Sequence, residues 1–515
     1  MGKKGLTILG VSVGVIAVLA IGAFILFQTM VNTPKNSYLL AELNEVEDTF
    51  DVFDERFESE MDWYEHAQSN AIESTVGITA ETNDPSFQEM GIDQMINNSN
   101  IELTVGQDIN NEVSTLGLNA NIAELSISDV NAYITGDKAG LTLPFIEEYM
   151  VVNEADAATF LNTINPEAFD GSEEIDYSMF FESSAISEEQ REYITDEYSS
   201  FIKDNLPDDA FESDTEEVTI GENTVNADKL TMTLSEEQIY TFLRDLFNKM
   251  AEDEEIASII ETQMMAASFG NPEAPSAEET ASEFNSSLKE AAENVENVGF
   301  PDGLTSVVWT DGDDNIVQRD FDMSVTVDDA TDQIAIDGTN EVQEDSQLIN
   351  YDMTVTAEDG NEGGIGITAD LKETENGYED VLTLRADTED LIVLNSVKSE
   401  EEDNEVWNAD VSFNEQAFGS PLTVFMESSS VYDGDQATSD VTIYAEDGTS
   451  ITRDTAALNI TGESQTVDEI AVPSADNEKD IGQMSMDELN DYFNNEVGPQ
   501  FEEWMTENFG APSGF

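Results

Sequence analysis

Met323-Ser-Val-Thr-Val327, Gln333-Ile-Ala-Ile336 and Tyr351-Asp-Met-Thr-Val-Thr356 alternate apolar and polar side chains with a period of two. A strand sends successive side chains to opposite faces, so this rhythm marks half-buried β-strands. It returns in Gly366-Ile-Thr-Ala369, Val381-Leu-Thr-Leu384, Leu422-Thr-Val-Phe425 and Val441-Thr-Ile-Tyr444. Asp311-Gly312, Asp359-Gly360, Asp433-Gly434 and Asp447-Gly448 punctuate the runs, and Asp-Gly suits the backbone of a tight turn. Residues 301–472 are therefore expected to form an antiparallel β lobe, a curved meander or open barrel.

Outward from that lobe the period changes. Residues 99–265 mix strands such as Ile101-Glu-Leu-Thr-Val105 and Asn131-Ala-Tyr-Ile-Thr135 with amphipathic helices, an α+β lobe. Ser187-Glu-Glu-Gln190 and Ser235-Glu-Glu-Gln238 fit the capping box that opens a helix. The second begins a helix with Ile239, Phe242, Leu243, Leu246, Phe247 and Met250 on one face. Residues 266–300 read as a linker and helix, and 473–515 as a linker and C-terminal amphipathic helix capped by Ser485. In 36–98, Leu39, Leu43, Val46, Phe50, Phe53, Phe57, Met61 and Tyr64 recur at helical spacing, predicting one long helix from about Ser37 to Thr75 with a connector. It serves either as a coiled-coil stalk or as a helix packed along a sheet. The expected class is α+β: an N-terminal transmembrane helix, a long amphipathic helix, and two β-rich lobes of curved antiparallel sheet with packed helices.

The amino end carries the apolar run behind that first element. After Lys3 and Lys4 (a cytoplasmic tip, 1–5), residues 6–28 hold Leu6, Ile8, Leu9, Val15, Ile16, Leu19, Ile21, Phe24, Ile25, Leu26 and Phe27. At ~1.5 Å per residue the run spans roughly 30 Å, the thickness of bilayer hydrocarbon. A cleaved signal peptide is the competing reading, but the run exceeds the usual ~7–15 residue apolar region. The positive-inside rule then predicts a single-pass protein of the cell membrane, amino terminus cytoplasmic and C-terminal bulk extracellular, with the membrane as partner through this helix.

Composition excludes more than it assigns. The 515 residues hold 113 acidic and 17 basic side chains, one His and no Cys, for a net charge of −96. Disulfides, thiol nucleophiles and Cys-rich zinc sites are impossible. Polyphosphate is repelled, so no nucleic-acid partner is expected. Acids spread over the whole chain after the apolar segment suggest adaptation of the surface to saline surroundings, a halophilic or salt-tolerant source. Ser286-Ser-Leu-Lys289 has Ser-x-x-Lys spacing without the companion motifs of penicillin-binding enzymes. Asp311-Gly-Asp-Asp-Asn315 lacks the Gly and Glu of a calcium loop, since Ile316 stands sixth. His66 falls off the apolar seam and reads as an exposed polar residue. No catalytic residue, metal site or cofactor is expected, and the chain does not read as an enzyme.

Leu143-Pro-Phe-Ile-Glu-Glu-Tyr149, the Ser-Glu-Glu-Gln helices, Val472-Pro473 and Ser485-Met-Asp-Glu488 follow the apolar segment in a characteristic order. That order resembles an uncharacterised family of membrane-anchored extracytoplasmic proteins of Gram-positive bacteria. At fold level, a curved sheet with helices laid across it is similar to lipoprotein-carrier half-barrels. The resemblance implies a noncatalytic protein binding a lipid or other apolar ligand between sheet and helices, with Phe242, Leu246, Phe247 and Met250 as ligand residues. An envelope scaffold with a helical stalk, partnering another envelope protein, is the alternative, and the oligomeric state is open. One prediction needs only the charge. Because the Debye length falls from ~10 Å at 0.1 M salt to ~3 Å at 1 M, the thermal midpoint is expected to rise by several degrees across that range. An unchanged midpoint in a salt-dependent melting series overturns it.

Overall fold

The computed structural model describes residues 33–122, 125–146, 148–166, 169, 171, 175–181, 188–221, 223–260, 277–328, 330–343, 345–401 and 404–509. Among the described residues every strand belongs to one 20-stranded sheet. That corrects the expected class. Two separate β-rich lobes give way to a single hydrogen-bonded sheet.

The chain divides into two compact units. The second comprises Phe57–Ser183, Ser396–Phe413 and Phe418–Phe515, and the first comprises the rest. In the first unit, Phe211–Ile220, Asn223–Leu234, Leu304–Thr310, Ile316–Val327, Ala330–Gln343, Ser346–Thr356, Glu362–Thr374 and Gly377–Ala386 pair antiparallel in succession. Val308 and Trp309 are adjacent, face opposite sides, and are both buried. Sequence explains this, since the run Val307-Val-Trp309 is apolar on both faces. Val308 joins the main core with Leu230, Met232, Phe321 and Met323 under the helix Glu236–Glu252. Trp309 joins Val218, Ile220, Ala227 and Val317 behind it. There the sheet curls until Asn223 Nδ2 reaches Glu341 Oε1 at 3.3 Å.

A helix at Pro34–Arg56 lies across the core face of this unit, held by polar anchors along its length. Tyr38 donates to Ser306 Oγ at 2.7 Å, and Arg319 forks onto both oxygens of Glu42 at 2.8 and 2.6 Å. Tyr351 donates to Glu45, and Arg56 reaches Asp380 at 2.9 and 3.2 Å. Burial pushes the Glu45 carboxyl above its ordinary range against the pull of Arg319. Burial works against the Arg319 charge too, but Glu42 and Glu45 hold it on.

In the second unit the order is Asn404–Phe413, Leu422–Asp433, Gln436–Glu446, Ala456–Thr466, then Ile72–Thr82, Asn100–Asp108, Val113–Ile122, Leu125–Thr135, Lys138–Thr142 and Tyr149–Asn153. The decisive contact is non-local: Ile72–Thr82 pairs with Ala456–Thr466 along its whole length. Glu478–Asp480 adds a parallel strand beside Tyr149–Asn153. Ile146, Met150, Ile481, Leu489, Tyr492 and Val497 form a local core there.

Several expectations change. The long helix is two helices, Pro34–Arg56 and Glu58–Ser69, interrupted at Phe57 (φ −123°, ψ 25°), and Ile72–Thr82 is strand. The capping boxes at Ser235 and Ser485 are formed, whereas Ser187 lies outside the described residues. The single-pass topology, the membrane as partner through an N-terminal helix, and the cytoplasmic-tip, extracellular-bulk localisation are corrected as well. Among the described residues no helix is long and apolar enough to cross a membrane. Leu6, Ile8, Leu9, Val15, Ile16, Leu19, Ile21, Phe24, Ile25, Leu26 and Phe27 lie outside those residues, as does the linker through residue 276.

Arg319 is the residue whose loss should cost the first unit most. Arg319→Met leaves Glu42 and Glu45 without their counter-charge, and breaking a buried pair typically costs about 3–5 kcal/mol. Urea unfolding at constant salt should show that loss, and a change below about 1 kcal/mol overturns the anchoring role.

Candidate functional site

Register assigns the two faces of the second unit's sheet. Directly opposed residues share a face, so Met426↔Ile443, Ile443↔Leu458, Ile460↔Ile78 and Ile78↔Ile101 place one apolar set together. Val76↔Leu103 and Leu103↔Leu118 extend it. The opposite face carries Glu427, Thr442, Asn459, Thr461, Thr79 and Glu102, mostly polar, together with the stacked pair Phe425 and Tyr444. The alternation is that of a sheet with one dry side and one wet side.

The dry side has no full roof. Val76, Ile78, Leu103, Leu118, Met426, Ile443 and Ile460 are each only half-buried, and Leu116 is 45% exposed. Among the described residues none of them enters a buried cluster. The contrast with the first unit is direct. There the same alternation is sealed under Glu236–Glu252, and Met232 and Leu246 are each 1% exposed. Six adjacent strands, Leu422–Asp433 through Val113–Ile122, leave an apolar field roughly 24 Å wide at the usual ~4.8 Å strand spacing.

One helix covers a margin of this field. Glu58–Ser69 is anchored at one end by Glu60 to Lys398, 2.7 Å, and at the other by His66 Nε2 to Thr466 Oγ1, 2.8 Å. Strand residues between those anchors include Ser430, Ala437, Ser439 and Ser464, small side chains that allow close approach. Phe57 packs edge-on against Trp407 at 5.2 Å, and the Trp407 indole N–H donates to Ser396 Oγ at 2.9 Å. His66 stacks on Trp63 and bonds within the unit, so it is a structural anchor and not the exposed polar residue its place off the seam suggested.

Charge at this margin is negative. Lys398 contacts Glu60 at 2.7 Å and Glu405 at 2.8 Å, so one cation meets two carboxylates. Burial, then the charge of Glu60, raise the Tyr432 phenol above its ordinary range, with Glu405 adding to the effect and a Ser430 hydrogen bond opposing it. No group of three or more candidate metal ligands occurs among the described residues.

The residues expected to hold a ligand are placed elsewhere. Phe242 and Leu246 are fully buried in the first unit's core, while Phe247 and Met250 are half-buried against it. Their face packs on the protein itself. The central strand of this field, Ile72–Thr82, replaces the end of the expected helix near Thr75 and the first part of the connector that was to follow it. The signal was present: Ser74, Val76, Ile78 and Ala80 alternate with Glu73, Thr75, Gly77 and Thr79.

No known family and no curated protein matches the chain. Among solved structures it is similar to Acinetobacter baumannii OccAB3, with a TM-score of 0.22 and 6% identity over 78% of this chain and 99% of that one. The P pilus usher PapC translocation pore gives 0.18 and 7%, covering 72% and 61%. Pseudomonas aeruginosa OccK9 gives 0.18 and 8%, covering 78% and 98%. TM-scores this low do not establish a shared fold.

Proposed function

We propose that this is a noncatalytic binding protein that holds a long apolar chain on the unroofed sheet face of its second unit. The observation that supports the reading is the half-exposed apolar field centred on Ile78, Leu103, Ile443 and Ile460. Water against such a field is costly, and a ligand that covers it recovers about 0.8 kcal/mol per buried methylene. A chain of about sixteen carbons would gain roughly 13 kcal/mol gross, and association removes at least ~4, which puts the expected Kd near micromolar. The field is continuous across adjacent strands, which suits it to retaining a long apolar chain.

The test is titration with the uncharged dye Nile red, followed by displacement with monoolein, in high salt. Saturable binding is expected. Ile443→Ser together with Leu103→Ser should weaken it by about tenfold, the loss of roughly two buried methylene equivalents. Thr461→Ser, on the opposite face, should leave it unchanged. Non-saturable uptake, or binding indifferent to the paired substitutions while the urea midpoint is retained, overturns the reading.

A further inference from the structure

We propose that the outer edge of Phe211–Ile220, in the first unit, docks an extended basic segment of a partner protein, which adds to the sheet as one more strand. Among the described residues this strand pairs only with Asn223–Leu234. Ile220 opposes Asn223 with two residues between them, so the pair closes a hairpin and exchanges backbone hydrogen bonds. Bonding alternates from there: Val218, Glu216, Asp214 and Glu212 turn their N–H and C=O groups to the neighbour, while Thr219, Glu217, Thr215 and Ser213 turn theirs outward. One outward N–H shows this directly, since Thr215 donates to the Asp214 carboxylate at 2.8 Å. Every residue from Glu212 to Glu217 is exposed. A strand covered on one side would bury every second residue, so this stretch, about 20 Å long at ~3.3 Å per residue, is open on both faces. Buried Phe211, packed on Tyr38, and buried Val218 mark its ends.

Charge chooses the occupant. Glu212, Asp214 and Glu216 share one face of the strand and Glu217 lies on the other. Of these four, only Glu216 meets a base among the described residues, Lys229 Nζ at 3.0 Å. Charged side chains on an edge keep other strands away when the charges match. A second copy of this chain would set acids against acids, which is destabilising for directly opposed residues. A strand with Lys or Arg at every second position would instead set cations against Glu212, Asp214 and Glu216. In such strand addition the main chain supplies affinity and the alternate side chains supply specificity. With 17 basic residues against 113 acidic ones, the chain itself is poor in such segments, so the complement belongs to another protein.

The probe is a capped, fluorescein-labelled heptapeptide alternating threonine and lysine, titrated by anisotropy against the full-length protein at low salt. Its control is the same peptide N-methylated at every residue, which keeps the charge and loses every N–H donor. The unmodified peptide should bind at least tenfold more tightly than the control. Ser213→Pro removes an outward N–H without changing the charge or the ladder to Asn223–Leu234, a place where an edge strand tolerates proline. It should weaken the unmodified peptide severalfold. Glu212→Gln with Asp214→Asn should also weaken it severalfold, and that difference should shrink at high salt, where charge is screened. Equal binding of the two peptides to the unaltered protein reduces the attraction to bulk charge and overturns the docking edge, whether or not Ser213→Pro folds. Indifference to Ser213→Pro at a retained urea midpoint overturns it as well. Self-association that Ser213→Pro abolishes, with no peptide bound, gives the edge to a second copy and overturns the basic partner.

Discussion

The second unit depends on one ladder, the antiparallel pairing of Ile72–Thr82 with Ala456–Thr466. It joins a strand from early in the chain to the last strand of the long meander. Without it, Ile78 and Ile460 would line two separate sheet edges, each with unpaired backbone groups. With it, their apolar sides continue from Met426 across to Leu118 on one face. Because strand periodicity is two, a slip of one residue would turn Val76 and Ile78 to the wet side. Serine pairing across the ladder, Ser74 Oγ to Ser464 Oγ at 2.8 Å, lies where the helix Glu58–Ser69 needs room.

Scarcity of positive charge shapes the rest. Basic side chains are few, and several act as inward staples. Arg319 forks onto Glu42, Lys35 donates to the Leu206 carbonyl and to Asp208, and Lys249 reaches Glu197. Such pairs fix where a helix lies on a sheet, which non-directional apolar contact does not. The large excess of acids over bases gives the protein its charge. The same excess borders the apolar face, where Lys398 is outnumbered two to one.

Much of the strand content was legible locally. Met323–Val327 and Tyr351–Thr356 alternate cleanly, and the strands Ile316–Val327 and Ser346–Thr356 contain them. The capping boxes at Ser235 and Ser485 were equally readable, since each is satisfied within four residues. The helix–strand boundary near residue 70 was not. Phe57 and Tyr64 keep a helical stripe going, and nothing in the next few residues marks a stop as plainly as Gly or Pro would. The candidate ligand residues show a related limit: an amphipathic face such as Phe242–Leu246 states that something must cover it, and only the structure places that face in the first unit's core.

By itself the sequence determined the period-two alternation, the turn positions, the acidic surface and the absence of thiol chemistry, because each is set by residues a few positions apart or by composition. Only the tertiary structure decided that all strands share one sheet, that Glu236–Glu252 seals one apolar face, and that the face around Ile78 and Ile460 is left half-open. The sealed face rests on side-chain packing between separate elements, and the half-open one on the ladder between Ile72–Thr82 and Ala456–Thr466, far apart in the chain; neither leaves a local pattern.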